Sequence, residues 1–196
     1  MCAEQSEREA WRTALPVTGV VLAGGAGRRM GGVDKGLVSW RGAPLVRHAL
    51  HVLAGLPVIL INANRSHDEY RRFGHPVIAD DAPGFGGPLM GLQAAFRHAH
   101  TPWILTIPVD SPRLGADLVE RLWRARGDAQ VVVGRSVRGP EPVIALCHQA
   151  AATALDRYLA TGGRAAKEWF ADISHRWLEL AAEELANCNT PDDLRG

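Results

Sequence analysis

Short apolar runs alternate with segments of helical spacing along most of the chain. Six runs rich in β-branched and other apolar residues predict buried strands, because such runs fit a sheet that is covered on both faces. These strands are predicted at residues 17–23, 57–62, 77–80, 103–107, 129–133 and 142–147. Between them, apolar positions that recur every three or four residues predict helices. The helices are predicted at residues 44–56, 67–73, 88–100, 116–126 and 149–160.

The order of these elements predicts an α/β fold. Strand–helix–strand repeats form right-handed crossovers, which build a mostly parallel, Rossmann-like sheet with helices on both faces. Because the sequence shows no internal repeat and no long low-complexity linker, we expect a single domain over residues 17–196 and a loose tail over residues 1–16. In such sheets, ligands bind where the carboxyl ends of the strands meet.

Composition and charge exclude several classes of protein. The chain has 196 residues, of which 46% are hydrophobic and 22% charged, which is typical of a globular domain and unlike a disordered chain. Its net charge of +1 lacks the basic excess of a dedicated nucleic-acid binder. Without a membrane-length apolar run or the apolar core of a signal peptide, a cytoplasmic protein with no membrane partner is expected. Cys2, Cys147 and Cys188 have no metal-ligand spacing and are expected to be reduced.

A glycine-rich loop follows the first predicted strand. Residues 24–32 contain five glycines together with Arg28 and Arg29, and Lys35 follows shortly afterwards. Exposed backbone N–H groups beside cations favour the binding of phosphate. The spacing matches neither a dinucleotide fingerprint, because Met30 stands where the third glycine belongs, nor a P-loop. The alternative is a flexible surface loop. The cations disfavour it, because Lys35 is one of only two lysines in the chain.

Polar side chains follow three of the predicted strands. Asp80, with Asp81 beside it, and Asp110 each come just after a strand, and Asn62 closes another. A carboxylate at this edge is a natural Mg²⁺ ligand when substrate phosphates complete the coordination shell. Taken singly, Asp110 is equally well explained as a helix cap, and Asp80 and Asn62 as parts of turns. Together with the glycine-rich loop, the two carboxylates favour a site for a nucleotide and a metal.

Two asparagines near the C-terminus, Asn187 and Asn189, lie just before Thr190 and Pro191. Threonine followed by proline is typical of a helix N-cap, but a cap does not explain the asparagines. The eight histidines are scattered, and no G-x-S-x-G or C-x-x-C motif is present. The histidines are therefore interpreted as ordinary helix residues.

The order of these motifs resembles the molybdenum cofactor guanylyltransferase family of the nucleotidyltransferase superfamily. The loop that ends in Asp34, Lys35 and Gly36 is the specific part of the resemblance, which runs from about residue 18 to the C-terminus. Two minor departures are Ser111, where the family often has threonine, and Cys188 between the two asparagines. The resemblance implies a single-domain nucleotidyltransferase fold. The matching segments lie within residues 20–25, 29–37, 62–65, 77–80, 87–91, 110–112 and 187–191.

The same resemblance implies an activity and a set of site residues. The activity is transfer of GMP from GTP to the terminal phosphate of molybdopterin, or Mo-molybdopterin, with release of pyrophosphate and with Mg²⁺ as cofactor. Asp110 is implied as the metal ligand, and Asn187 and Asn189 as contacts of molybdopterin. The implied catalytic residues are Lys35, Asp110 and Arg29. The implied nucleotide contacts are Leu22, Ala23, Gly24, Gly25, Lys35, Asn62, Asp80 and Asp110.

The choice of substrate rests on fewer residues. Gly24 favours guanine, because the cytidylyl relatives of this family typically carry alanine at that place. The alternatives are a cytidylyl- or sugar-phosphate nucleotidyltransferase, a non-catalytic module that binds GTP or the cofactor, and an interaction domain that binds no nucleotide. We expect a monomer, with other molybdenum-cofactor biosynthesis proteins and apo-molybdoenzymes as candidate partners and no nucleic acid.

Overall fold

The computed structural model describes residues 10–25, 33–81 and 87–188. No helix within these ranges combines the length and the apolar composition that a membrane crossing requires. The strands are β1 (Val17–Leu22), β2 (Ser39–Trp40), β3 (Ala43–Pro44), β4 (Val58–Asn62), β5 (Val77–Ile78), β6 (Trp103–Pro108), β7 (Val131–Ser136), β8 (Gly139–His148) and β9 (His175–Glu179). The helices are α1 (Leu45–Leu53), α2 (His67–Arg71), α3 (Pro88–His98), α4 (Leu118–Ala125), α5 (Ala152–Ala160) and α6 (Ala166–Ala171), and two 3₁₀ turns span Lys35–Leu37 and Gln149–Ala151.

Seven of these strands form one sheet in the order β5-β4-β1-β6-β8-β7-β9. Neighbouring strands are parallel except at β8, which runs antiparallel to both β6 and β7. β2 and β3 form a separate antiparallel hairpin. The predicted α/β fold, a single domain around a mostly parallel sheet, is confirmed.

The side chains of the sheet divide between two apolar layers. Val21 of β1 packs in the layer that contains α1 and α4, whereas its neighbour Val20 packs in the layer that contains α3, α5 and α6. Ile61 and Leu60 of β4 divide in the same way. Because successive residues of a strand point to opposite faces, this division places helices on both faces of the sheet, as predicted.

A close approach fixes α1 on β1. A Cβ atom at Gly19 would lie 2.9 Å from a methyl carbon of Leu56 and 3.0 Å from a methyl carbon of Leu53. Any larger residue at this position would push the end of α1 away from the strand. Glycine at this position therefore allows the end of α1 to pack closely against β1, the strand that leads into the glycine-rich loop.

Within the described ranges, the β2–β3 hairpin, α6, β9 and the 3₁₀ turn at Lys35–Leu37 were not predicted from the sequence. β9 lies at the edge of the sheet, where it pairs with β7 alone, and its residues are half-buried or exposed. Its sequence therefore lacks the continuous apolar run that marks a central strand. β5 ends at Ile78, two residues earlier than predicted, so Asp80 lies beyond the strand.

Residues 10–15 differ from the loose tail expected over residues 1–16. Residues 10–13 are helical, and the Leu15 side chain is buried in the core. The Arg12 guanidinium is also buried, and it donates hydrogen bonds to the carbonyl oxygens of Ala54 (2.8 Å) and Ala116. Because a buried cation needs such acceptors, these bonds tie the segment to the ends of two helices. Residues 1–9 lie outside the described residues.

Cys147 and Cys188 are free and buried, as expected for reduced thiols. Burial raises the pKa of the Cys147 thiol, which keeps it protonated and poorly reactive. These two cysteines therefore behave as apolar core residues, and Cys2 lies outside the described residues.

Candidate active site

The carboxyl ends of the parallel strands β5, β4, β1 and β6 meet at one edge of the sheet. Gly24 follows β1, and Asn62 is the last residue of β4. Asp80 lies two residues after β5, and Asp110 two residues after β6. The structure thus places these four predicted residues at the edge where parallel sheets bind ligands.

Backbone hydrogen bonds continue past the end of β1 and hold the entry to the glycine-rich loop. The Ala23 N–H donates to the carbonyl oxygen of Asn62 (2.8 Å), and the Val109 N–H donates to that of Leu22 (3.1 Å). Ala23 is buried, whereas Gly25 is exposed. The chain therefore leaves the sheet in a fixed direction and becomes accessible where the loop begins.

Asp80 is held by amide groups. The Asn62 Nδ2 donates to Asp80 Oδ1 (3.0 Å), and the Asn64 Nδ2 donates to Asp80 Oδ2 (2.8 Å). The Asp80 N–H donates in return to Asn64 Oδ1 (2.9 Å). Asn62 is buried, while Asn64 and Asp80 are half-buried. Both carboxylate oxygens are thus fixed in direction, and the group stays partly open to a ligand.

Two glycines lie against this cluster. A Cβ atom at Gly24 would lie 2.9 Å from Asn64 Nδ2, and one at Gly91 of α3 would lie 2.8 Å from Asn62 Oδ1. The Cβ atom at Gly91 would also lie 2.9 Å from a methyl carbon of Leu22. Since both amides are already hydrogen bonded to Asp80, side chains at these two positions would displace the cluster.

Asp110 is held by a cation. Lys35 Nζ lies 2.7 Å from Asp110 Oδ2, and the two side chains are 19% and 24% exposed. Lys35 begins the 3₁₀ turn after the glycine-rich loop, and Asp110 is 75 residues further along the chain. A charge-assisted hydrogen bond at this distance is strong, yet both groups remain within reach of a ligand.

Among the described side chains, Asp110 belongs to no cluster of potential metal ligands. Among residues 10–25, 33–81 and 87–188, no three His, Cys, Asp or Glu side chains are arranged to hold a metal ion. Mg²⁺ commonly takes one or two carboxylates and completes its shell with water and substrate phosphates. Asp110 therefore fits a metal that arrives with a phosphate-bearing substrate.

The C-terminal part of the chain reaches the same point. Ser111 Oγ donates a hydrogen bond to Asn187 Oδ1 (2.7 Å), and the Cys188 N–H donates to the carbonyl oxygen of Asp110 (3.0 Å). These bonds bring Asn187 beside Asp110, although 76 residues separate it from Ser111.

The segment that precedes Asn187 is anchored on α4. Arg121 Nη1 lies 2.6 Å from Glu184 Oε1, and the Ala181 N–H donates to Glu184 Oε2 (2.9 Å). Burial acts to raise the pKa of the Glu184 carboxyl, but the hydrogen bonds from Arg121 and Ala181 outweigh it and hold the pKa below its ordinary value. The hydrogen bond to Glu184 also raises the pKa of Arg121. The pair is therefore fully charged near neutral pH.

Some residues of the site were not predicted from the sequence, and some predicted site residues are not among those that the structure describes. The predicted residues Arg29 and Asn189 lie outside the described residues. Asn64 was not predicted as a site residue, although it stands two positions after Asn62, and alternate residues of an extended chain share a side. Ser111 was noted only as a departure from a motif. Its contact with Asn187 depends on chain folding that no local pattern reveals.

Residues 19–177 match the model of the "MobA-like NTP transferase domain" family. The chain is 42% identical to a molybdenum cofactor guanylyltransferase of Cupriavidus metallidurans, over 91% of this chain and 92% of the relative. It is 41% identical to a protein of the same name from Ralstonia nicotianae, over 91% of this chain and 94% of the relative.

A solved structure shares the fold. It is that of molybdopterin-guanine dinucleotide biosynthesis protein A from Archaeoglobus fulgidus, which superimposes with a TM-score of 0.76 at 23% identity. The match covers 91% of this chain and 95% of the archaeal one. The family model and the two bacterial relatives establish the family as well as the fold. The model matches residues 19–177, and each relative aligns with 91% of this chain. The chain therefore belongs to the molybdenum cofactor guanylyltransferase family of MobA-like NTP transferases, and it is a nucleotidyltransferase.

Proposed function

We propose that the protein transfers GMP from GTP to the terminal phosphate of molybdopterin, or Mo-molybdopterin, and releases pyrophosphate. The proposal rests on the Lys35–Asp110 pair, which lies at the carboxyl ends of the strands, the edge at which the chain leaves β1 through Gly24 and Gly25. A cation and a metal-binding carboxylate at this place are what phosphate chemistry requires. The choice of a guanylyl group and of a molybdenum-cofactor acceptor follows from the names of the relatives.

The nucleotide is held by the residues at the ends of β1, β4 and β5. The backbone from Leu22 to Gly25 faces the triphosphate, and the exposed N–H groups of a glycine-rich chain suit its oxygens. Asp80 accepts hydrogen bonds only, so it suits the N–H donors of a base or the hydroxyls of a sugar. Its amide partners fix the direction from which those donors must approach.

The reaction needs positioning and charge cancellation rather than a general base. The attacking group is a phosphate oxygen of the acceptor, which is already anionic near neutral pH. It attacks the α-phosphorus of GTP, a new P–O bond forms, and the bond to the β-phosphate breaks as pyrophosphate leaves. Lys35 supplies a compact charge to the phosphates as the two anions approach each other. Asp110 would hold Mg²⁺, which when bound lowers the repulsion between donor and acceptor phosphates.

The remaining assignments depend on residues at the margins of the site. We propose that Asn187, which lies beside Asp110, contacts the acceptor, and we extend the same role to Asn189. Arg29 would stabilise the leaving pyrophosphate. A monomer in the cytoplasm, with other cofactor-biosynthesis proteins and apo-molybdoenzymes as partners, remains a prediction from the sequence.

The test is release of pyrophosphate with each of the four NTPs, with Mg²⁺, and with or without molybdopterin. The proposal predicts release with GTP only, dependent on the acceptor, and slowed at least about a hundredfold by Lys35→Ala. Lys167→Ala is the matched control, because Lys167 is the only other lysine of the chain. Release with CTP instead would make the protein a cytidylyltransferase, and GTP binding without release would make it a binding module.

A further inference from the structure

The turn that carries Lys35 is too short to hold itself in place. The 3₁₀ turn spans only Lys35–Leu37, and Asp34 at its N-cap makes no side-chain capping hydrogen bond. Single turns of this kind are marginal unless their surroundings fix them. The side chain of Asp34 points away from the turn, toward Tyr70 and Arg65, and these contacts help to hold the turn in place.

Asp34 is held by two residues from the segment between β4 and the end of α2. Tyr70 Oη donates a hydrogen bond to Asp34 Oδ1 (2.6 Å), and Arg65 Nε lies 3.5 Å from Asp34 Oδ2. Arg65 Nη2 also donates to the carbonyl oxygen of Val33 (2.9 Å). The two residues immediately before Lys35 are therefore both attached to this segment, and the Asp34 side chain is only 10% exposed.

Tyr70 also packs directly under the residue after Lys35. Tyr70 and Gly36 are both buried, and a Cβ atom at Gly36 would collide with the Tyr70 hydroxyl. Burial raises the pKa of Tyr70, and the hydrogen bond to Asp34 raises it further, so the phenol keeps its proton and remains a donor. The residues on both sides of Lys35 thus contact Tyr70: Asp34 through a hydrogen bond, and Gly36 through close packing.

We propose that Tyr70 and Arg65, acting through Asp34, are positioning residues that set where the Lys35 ammonium stands relative to Asp110. The inference rests on the proposed role of Lys35 toward the phosphates of the substrate. Neither Tyr70 nor Arg65 needs to touch the substrate for this role. Their effect on the reaction passes through Lys35, and it disappears when the ammonium group is removed.

A double-mutant cycle on kcat/KM for GTP tests this dependence. Tyr70→Phe keeps the buried ring and removes the bond to Asp34, so we expect kcat/KM to fall about tenfold, the scale of one hydrogen bond to a charged group. In the Lys35→Ala background the same change should have less than about a twofold effect. A reduction by the same factor in both backgrounds would show that Tyr70 acts on the fold generally and would overturn the inference.

The matched control is Tyr158→Phe, since Tyr158 is the only other tyrosine of the chain and its hydroxyl bonds Glu168 (2.8 Å) away from Lys35. It should leave kcat/KM unchanged. Asp34→Asn is the second test variant, because it keeps an acceptor for Tyr70 but loses the charge that faces Arg65. We expect it to lower kcat/KM in the wild-type background and not in the Lys35→Ala background.

A readout without turnover separates this inference from the proposed function. Reductive methylation with ¹³C-formaldehyde labels the N-terminal amine and two lysines, and the Lys35 signal is assigned by its loss in Lys35→Arg. Tyr70→Phe and Asp34→Asn should each shift or broaden the Lys35 signal and leave the Lys167 signal alone. An unchanged Lys35 signal in both variants would overturn the inference, whereas a wild-type protein that transfers no GMP would overturn only the proposed function.

Discussion

Asp80 and Asp110 stand on opposite sides of β1 at the same edge of the sheet, and they are held in different ways. Asp80 accepts hydrogen bonds from two side-chain amides, and its own N–H bonds one of them. Asp110 is held by the ammonium group of Lys35. The first carboxylate is therefore held in a fixed direction by neutral donors, while the second faces a cation on a flexible stem.

From this difference we infer a division of labour in the proposed reaction, with Asp80 serving recognition of the substrate and Asp110 serving the chemistry. A carboxylate fixed by neutral donors is prepared to accept hydrogen bonds, because its direction does not change when a ligand arrives. A carboxylate paired with lysine can exchange that cation for a metal, and the lysine is then available to phosphate. Changes at Asp80 should therefore act mainly on binding, and changes at Asp110 mainly on turnover.

The largest expected effect belongs to Asp110→Asn. Turnover should fall at least about a hundredfold, the scale of removing one preorganised charge contact, because the metal proposed to arrive with the substrate would lose its protein ligand. Steady-state release of pyrophosphate measures the effect, and Asp128→Asn, at an exposed carboxylate paired with Arg176, is the control. Mg²⁺-dependent turnover near the wild-type rate would remove Asp110 from the chemistry.

Asp80→Ala should act on stability and on affinity for GTP. It leaves the amides of Asn62 and Asn64 without their acceptor, and an unpaired buried donor costs about 1–3 kcal/mol. Urea unfolding and equilibrium binding of GTP measure the two effects. The neighbouring variant Asp81→Ala removes only an exposed ion pair with Arg97, for which we expect less than about 1 kcal/mol. Equal losses of stability in the two variants would contradict the account.

Gly91→Ala tests the same amide cluster by crowding it. Alanine normally stabilises a helix relative to glycine by roughly 1 kcal/mol. Here its methyl group would press on Asn62 and Leu22, so we expect a net loss of stability and a several-fold loss of GTP affinity. Thermal unfolding gives the sign directly, and a stabilised variant with unchanged affinity would show that the cluster tolerates displacement.

The smallest effect concerns pH and the C-terminal segment. The pKa of Glu184 lies below its ordinary value of 4.5 in the folded protein, so the Arg121–Glu184 pair stabilises the protein above that value. This stabilisation is lost as the pH falls through the lowered pKa. Glu184→Gln should therefore unfold more easily than the wild type at neutral pH, and the difference should shrink in acid. A difference that is constant with pH would contradict this role of the pair.

The strands that build the site could be predicted because they are continuous apolar runs with polar residues at their ends. That pattern located the end of β4 at Asn62 and the end of β6 to within one residue, and with it the position of Asp110 just beyond the strand. It did not predict β9, whose polar sequence is typical of a sheet edge.

The pairings within the site could not be predicted. Lys35 meets Asp110 across 75 residues, and Tyr70 meets Asp34 across 36, through crossovers whose lengths alone do not fix side-chain contacts. Glycines at positions 24 and 91 were visible in the sequence, but their contact with the Asn62–Asn64 cluster depends on how closely α3 approaches β4. Local patterns thus located the edge of the sheet, and tertiary packing determined the partners.

Single-turnover transfer of labelled GMP to molybdopterin, at saturating Mg²⁺ and GTP, tests the division of labour most directly. The wild type, Asp80→Asn and Asp110→Asn are compared under conditions where weak binding has been overcome. We expect Asp80→Asn then to transfer GMP within a few-fold of the wild-type rate, while Asp110→Asn stays at least about a hundredfold slower. Equal transfer rates for the two variants, or full recovery of Asp110→Asn at saturation, would contradict this division of labour.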